Sequence, residues 1–176
     1  MASRSKEFWL ETGLESLAQQ GPQSLTIESL CRATGKTKGS FYHHFSGAQE
    51  FARQVTEFWR QSHTQDLIDL TTGLPPEQAL QRLRELAKKL PFARESAFRA
   101  WAASDEQAAK AVAEVDSTRV RHLAELYAKL GHDADQAESM AWLEYALSLG
   151  LAQLKSSLPR GRGRRAQELF ERRIIT

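Results

Sequence analysis

One cysteine, Cys31, stands in a chain of 176 residues, so no intramolecular disulfide can form and a reducing compartment is the expected setting. Long apolar runs are missing too. None reaches the roughly 18 residues of a membrane helix, and Met1–Gln20 has no uninterrupted apolar stretch of the signal-peptide kind. The expectation is a cytoplasmic protein with no membrane partner. β-Branched residues are sparse and strict apolar–polar alternation is absent, which argues against a sheet protein. Catalytic and metal signatures are lacking as well: there is no His-Glu-x-x-His spacing, no glycine-rich phosphate loop and no carboxylate cluster placed for acid–base work. We expect no catalytic residue, no metal and no cofactor. The net charge of +2 is too small to identify a polyanionic partner, but its distribution is uneven. Residues 155–176 hold seven Lys/Arg against two Asp/Glu, residues 1–60 seven against six, and residues 61–154 ten against fourteen. An anionic partner is therefore expected to meet the ends of the chain.

Ala, Leu, Glu, Gln and Arg dominate, and the apolar residues recur at helical spacing. Stop signals at Gly21-Pro22, Gly35, Pro91, Gly131 and Pro159, with cap residues Thr26, Thr37, Ser46 and Asp133, divide the chain. The expected helices are 5–20, a pair within 26–45, one from Ser46 to about His63, then 77–90, 94–104, 106–130, 133–157 and a short one near 165–174. The fold class is all-α, with about nine helices. The stretch Pro159–Arg165 is basic and glycine-rich and is expected to be mobile; Arg160–Arg165 reads as solvated surface, with DNA or an anionic membrane as the alternative contact.

Most information lies in Thr26-Ile27-Glu28-Ser29-Leu30-Cys31-Arg32-Ala33-Thr34-Gly35-Lys36-Thr37-Lys38-Gly39-Ser40-Phe41-Tyr42-His43-His44-Phe45. Two short helices meet at Gly35, where a tight turn needs backbone that is costly for residues with a Cβ. Ile27, Leu30 and Cys31 would face the core from the first helix, and Phe41 and Phe45 from the second. The opposite face of the second helix offers Lys38, Gly39, Ser40, Tyr42, His43 and His44: short donors, amphipathic rings and a cation, suited to phosphates and base edges. His43 and His44 point about 100° apart and cannot both ligate one ion. Cys31 reads as a core thiol, and His132–Asp135 as a solvated helix cap.

The run T-I-x-x-L-x-x-A-T-G-K-T-K-G-S-F-Y-H-H-F resembles the N-terminal signature of TetR-family regulators, in register over about residues 6–51. The resemblance implies a three-helix, helix-turn-helix DNA-binding domain at 1–46 and a helical effector-binding and dimerisation domain at 47–176. It implies that Thr26 contacts phosphate, that Thr37, Lys38, Gly39, Ser40 and Tyr42 enter the major groove, and that Tyr42 and His43 brace the DNA backbone. Two positions depart from the family pattern. A lysine common at the start of the helix after Phe45 is replaced by Ala48, so one phosphate anchor is missing and Glu50 nearby does not replace it. Lys36 stands where the family tends to an apolar residue, and a charged side chain at that turn must be exposed, with DNA a natural neighbour. Arg4, Lys6, Lys36 or Lys38 could offset the loss at Ala48.

Residues 133–157 carry two apolar stripes, one of Met140, Leu143, Leu147, Leu151 and Leu154, the other of Trp142, Tyr145, Ala146 and Leu149. A helix apolar on two faces must be buried on two sides. One side is its own core; the other calls for a second copy, and Gly150 allows close helix approach. The family resemblance implies a homodimer interface here, and two-fold symmetry then implies a palindromic double-stranded operator. The family also implies an apolar pocket for a hydrophobic small-molecule effector, for which Phe58, Phe98, Trp101, Tyr127, Trp142 and Tyr145 are the candidate lining. The expected function is a dimeric repressor released from its operator by that effector. The alternative is a DNA-binding regulator of the same fold without a pocket, controlled by a protein partner.

Overall fold

The computed structural model describes residues 2–174, and among these the chain is helical without a strand. Nine helices result among the described residues: α1 (Ala2–Gln20), α2 (Ile27–Thr34), α3 (Lys38–Tyr42), α4, α5 (Pro76–Ala87), α6 (Phe92–Ala102), α7 (Glu106–Lys129), α8 (Ala134–Gln153) and α9 (Arg162–Ile174). Helix α4 runs over Ala48–Arg60, loosens into a π-helical turn at Gln61–Gln65 and resumes over Asp66–Asp69. It is thus longer than the expected end at His63. The Ser46 cap is also replaced: the N-cap position is Gly47, without a side-chain cap. Instead the Glu50 carboxylate reaches back and accepts from the Ser46 amide at 2.6 Å and from its hydroxyl. Those bonds hold the Glu50 carboxyl below the usual carboxylate range. The segment expected to be mobile is partly ordered, since α9 already starts at Arg162.

Two compact units emerge, one holding residues up to Asp66 with Ala93–Val115, the other Leu67–Phe92 with residues from Asp116 onward. The first is built on aromatic packing. Trp9, Leu14 and Leu17 of α1, Leu30 of α2, Phe41, Phe45, and Phe51, Val55 and Trp59 of α4 are all buried. Phe41 lies 5.5 Å from Trp9, 5.1 Å from Phe45 and 5.5 Å from Phe51, in edge-on or tilted arrangements. Such pairs add about 0.5–1.5 kcal/mol each beyond the burial of their area. Gly13 makes this packing possible: a Cβ there would sit 2.8 Å from both Phe51 Cζ and Val55 Cγ2. Trp59 stacks on Phe98 at 4.3 Å.

The second unit mixes small apolar residues with a buried ion pair. Ala79 and Leu80 of α5, Val120, Leu123, Leu126 and Tyr127 of α7, and Ala137, Ala141 and Tyr145 of α8 form its core. Inside it, Arg84 grips Glu144 with two bonds, Nε–Oε1 at 2.6 Å and a terminal nitrogen to Oε2 at 2.9 Å. The Tyr127 hydroxyl donates to the same carboxylate and accepts from Arg84 at 3.3 Å. Burial, reinforced by Glu144, pushes the Tyr127 phenol well above its ordinary range. One polar cluster therefore ties α5, α7 and α8 together. A buried pair of this kind contributes little net stability but makes its partners mutually dependent.

Candidate nucleic-acid interface

Helices α2 and α3 are short, and local chemistry defines their ends. Thr26 has extended backbone and its side chain accepts from the Ser29 amide at 3.3 Å, while Thr37 accepts from the Ser40 amide at 3.2 Å. Between them Gly35 takes the left-handed conformation, with φ of 66°, which only glycine adopts freely. The turn needs nothing beyond these residues and the Thr34 hydroxyl, which donates to the Leu30 carbonyl at 2.8 Å and accepts from the Lys36 amide at 3.3 Å. The inner faces match the expectation from the sequence: Leu30, Phe41 and Phe45 are buried, with Ile27 and Cys31 packed against the same core.

The outer face presents the remaining residues. Thr26, Lys36, Thr37, Lys38, Gly39, Tyr42 and His43 are exposed and Ser40 is half-exposed. Gly39 leaves the surface open, since the nearest atom to a Cβ there would be Thr37 Oγ1 at 3.7 Å. Tyr42 is 56 % exposed and rests edge-on against Phe41 at 5.7 Å. An amphipathic ring on a rigid base leaves its hydroxyl free to meet a polar partner in solvent. His44 differs from its neighbour. It is half-buried, its Nε2 lies 3.1 Å from the Ser5 hydroxyl, and desolvation, followed by the charges of His43 and Lys6, holds its imidazole below the ordinary histidine range.

The cations divide into two kinds. Lys36 is exposed and makes no ion pair among the described residues. Lys38 is bound by the Glu28 carboxylate from the first turn of α2. The hydrogen bond raises the Lys38 ammonium and lowers the Glu28 carboxyl relative to their ordinary ranges, with charge attraction adding to both. Sequence reasoning missed this pair, because ten positions separate the two residues and only the turn geometry brings them together. Lys6 Nζ lies over the Phe45 ring at 5.8 Å. The side chain of Arg4, the fourth cation weighed for this face, lies outside the described residues. Ala48 is the first residue of α4 and half-buried.

The other candidate residues fall as follows. Phe98 is fully buried with Trp101 at 5.6 Å, and Phe58 packs against the same core. Tyr127 and Tyr145 belong to the core of the second unit. Trp142 is 48 % exposed on α8. On that helix Leu143 is also exposed, as is Leu154 at its C-cap, Leu147, Gly150 and Leu151 are half-exposed, and Met140 packs partly against the second core. The inner side of α8 is Ala137, Ala141, Glu144 and Tyr145, so the two stripes do not divide as their apolar content suggested. No helix of the described residues is long and apolar enough to cross a membrane.

Known proteins agree with this geometry. Residues 10–55 match the family described as bacterial regulatory proteins, tetR family. The crystal structure of regulatory protein TetR from Rhodobacter sphaeroides superposes with a TM-score of 0.69 over 99 % of this chain and 97 % of that one, at 22 % identity. At that identity the likeness speaks for the fold. No curated protein matches the chain. The likeness to that family rests on residues 10–55, and the all-helical fold of the described residues is similar to that of a TetR regulatory protein.

Proposed function

We propose that this protein is a dimeric transcription repressor that reads a palindromic operator through the face of α3 and leaves it when a hydrophobic small molecule binds. The observation that carries the reading is the outward set Thr26, Lys36, Thr37, Lys38, Gly39, Tyr42 and His43, exposed together with half-exposed Ser40 on a rigid aromatic base. Hydroxyls and cations of this kind hold phosphates, and short residues at the start of a recognition helix let backbone and side chains approach base edges. A regulator of this sort works beside the chromosome, hence in the cytoplasm, and the reading assigns it no catalytic step.

Dimerisation is proposed through α8. Trp142, Leu143 and Leu154 are large apolar side chains left about half exposed in the single chain, and a Cβ at Gly150 would meet nothing within 4 Å. A second copy covering this face would remove that surface from water. Domain boundaries at 1–46 and 47–176 go with this division of labour. For the effector we propose a hydrophobic small molecule held by aromatic side chains, with Phe58, Phe98 and Trp101 the candidates in the first unit and Tyr127, Trp142 and Tyr145 those in the second. Effector release requires the ligand to prefer the arrangement that does not bind DNA.

The test is capture of fragmented chromosomal DNA by the purified protein. Recovery of a few discrete fragments is expected, and their loss with Tyr42→Ala or Lys38→Ala at unchanged thermal melting. Equal capture by both variants would remove α3 from the interface.

A further inference from the structure

The strongest unassigned feature of the surface is the segment 155–165. It carries Lys155, Arg160, Arg162, Arg164 and Arg165 with no acidic residue among them. All five are exposed, and none forms an ion pair among the described residues. By contrast, Arg60, Arg82, Arg84, Arg94 and Arg99 each meet a glutamate.

The charge is held in place by ordered structure. The Leu158 amide donates to the Leu154 carbonyl at 2.9 Å, the Arg162 amide to Pro159 at 3.0 Å and the Arg165 amide to Gly161 at 3.1 Å. Helix α9 turns its Gly163 side inward, where a Cβ would touch Leu158 and Leu151 at 3.6 and 3.9 Å, and its arginines outward. Arg162 and Arg165, three residues apart, share one face. Cations in the first turn of a helix oppose its dipole, so local stability does not account for their placement there.

We propose that this basic turn is a second, sequence-independent contact for the phosphodiester backbone of double-stranded DNA, separate from the α3 face. Guanidinium forks match phosphate oxygens in pairs, and an arginine row broken only by glycines supplies charge without base-reading chemistry. An anionic membrane is the poorer occupant. Insertion needs a bulky apolar face beside the cations, and Leu169 is the one large apolar side chain exposed on α9 among the described residues.

Only the choice of DNA as partner rests on the function proposed above. The experiment uses the full-length protein and a random-sequence duplex of about 30 base pairs, with affinity measured by fluorescence anisotropy across a salt series. Each phosphate contact contributes about 0.9 to the slope of log K against log salt, so Arg160→Gln/Arg162→Gln/Arg164→Gln/Arg165→Gln should flatten it by up to about 3.6 units. The fourfold lysine variant at the same positions should keep most of the slope, which separates charge from any effect on folding. Tyr42→Ala should lose preference for captured fragments over the random duplex yet keep this component. A glutamine variant whose slope stays within half a unit of the parent overturns the proposal. So does binding to mixed phosphatidylserine–phosphatidylcholine vesicles without binding to the duplex.

Discussion

In the free protein Lys38 is occupied by Glu28, so the cation best placed at the start of α3 must leave a carboxylate before it can serve a phosphate. Replacing Glu28 by Gln keeps the shape and removes the charge that holds it. Both side chains are about 60 % exposed, so the exchange takes place in water and no folding penalty is expected. If the freed ammonium neutralises one phosphate, the slope of log K against log salt steepens by about 0.9, and affinity falls roughly 3.5-fold more than in the parent between about 50 and 200 mM salt. The assay is anisotropy on a captured chromosomal fragment over that range. A cycle isolates the cause. Glu28→Gln should have no effect on the slope once Lys38 is already Gln. An unchanged slope in the single variant, or the same steepening in the double variant, would refute the idea that the ion pair restrains DNA binding.

Three further outcomes follow from the same physics. Ala48→Lys restores a cation at the first position of α4 and should tighten binding while steepening the salt slope by about 0.9; no change in either would mean that this end of α4 does not reach a phosphate. Glu144→Ala strands the Arg84 guanidinium, whose side chain is 10 % exposed, and should cost about 3–5 kcal/mol in urea unfolding; Glu171, 3.8 Å from Arg84, favours the lower figure, and the apolar pair Arg84→Met/Glu144→Leu should recover most of the loss. A cost for the single change below about 1 kcal/mol, the scale of an exposed pair, would contradict a buried cluster. His122 shares a 3.3 Å contact with the Thr71 hydroxyl, and desolvation holds its imidazole below the ordinary range of about 6.5. The unfolded chain therefore binds the proton more readily, so stability is complete above about pH 6.5 and declines as pH falls toward the folded value. His44, shifted the same way, adds to that decline; His122→Gln should make it shallower, and an identical pH profile would exclude His122 as a contributor.

What the sequence made legible is what local chemistry decides. Thr26, Gly35, Thr37 and Asp133 cap or end their helices as read, because a hydroxyl or carboxylate three residues before an amide, or a glycine in a left-handed turn, needs no distant partner. Ile27, Leu30, Phe41 and Phe45 reveal an inner face by spacing alone. The misses are all non-local or geometrically subtle. Glu50 rather than Ser46 organises the start of α4 by reaching backward. The π turn at Gln61–Gln65 has no periodic signature, so α4 outran its expected end. On α8 the eye follows the large apolar residues, yet the buried side is Ala137, Ala141, Glu144 and Tyr145, since Glu144 finds Arg84 sixty positions earlier. No pattern of spacing within α8 announces that partner.

The central claim is that residues 26–45 read DNA as one half of a symmetric pair. Selection of duplexes from a random pool by the full-length protein, with the mass of the complex measured on the winner, tests it most directly. The account predicts an inverted repeat whose half-sites are centred about one helical turn apart, or a whole multiple of it, bound by two chains or an even number of them. Enrichment of an asymmetric site held by a single chain, or no enrichment at all, would contradict it.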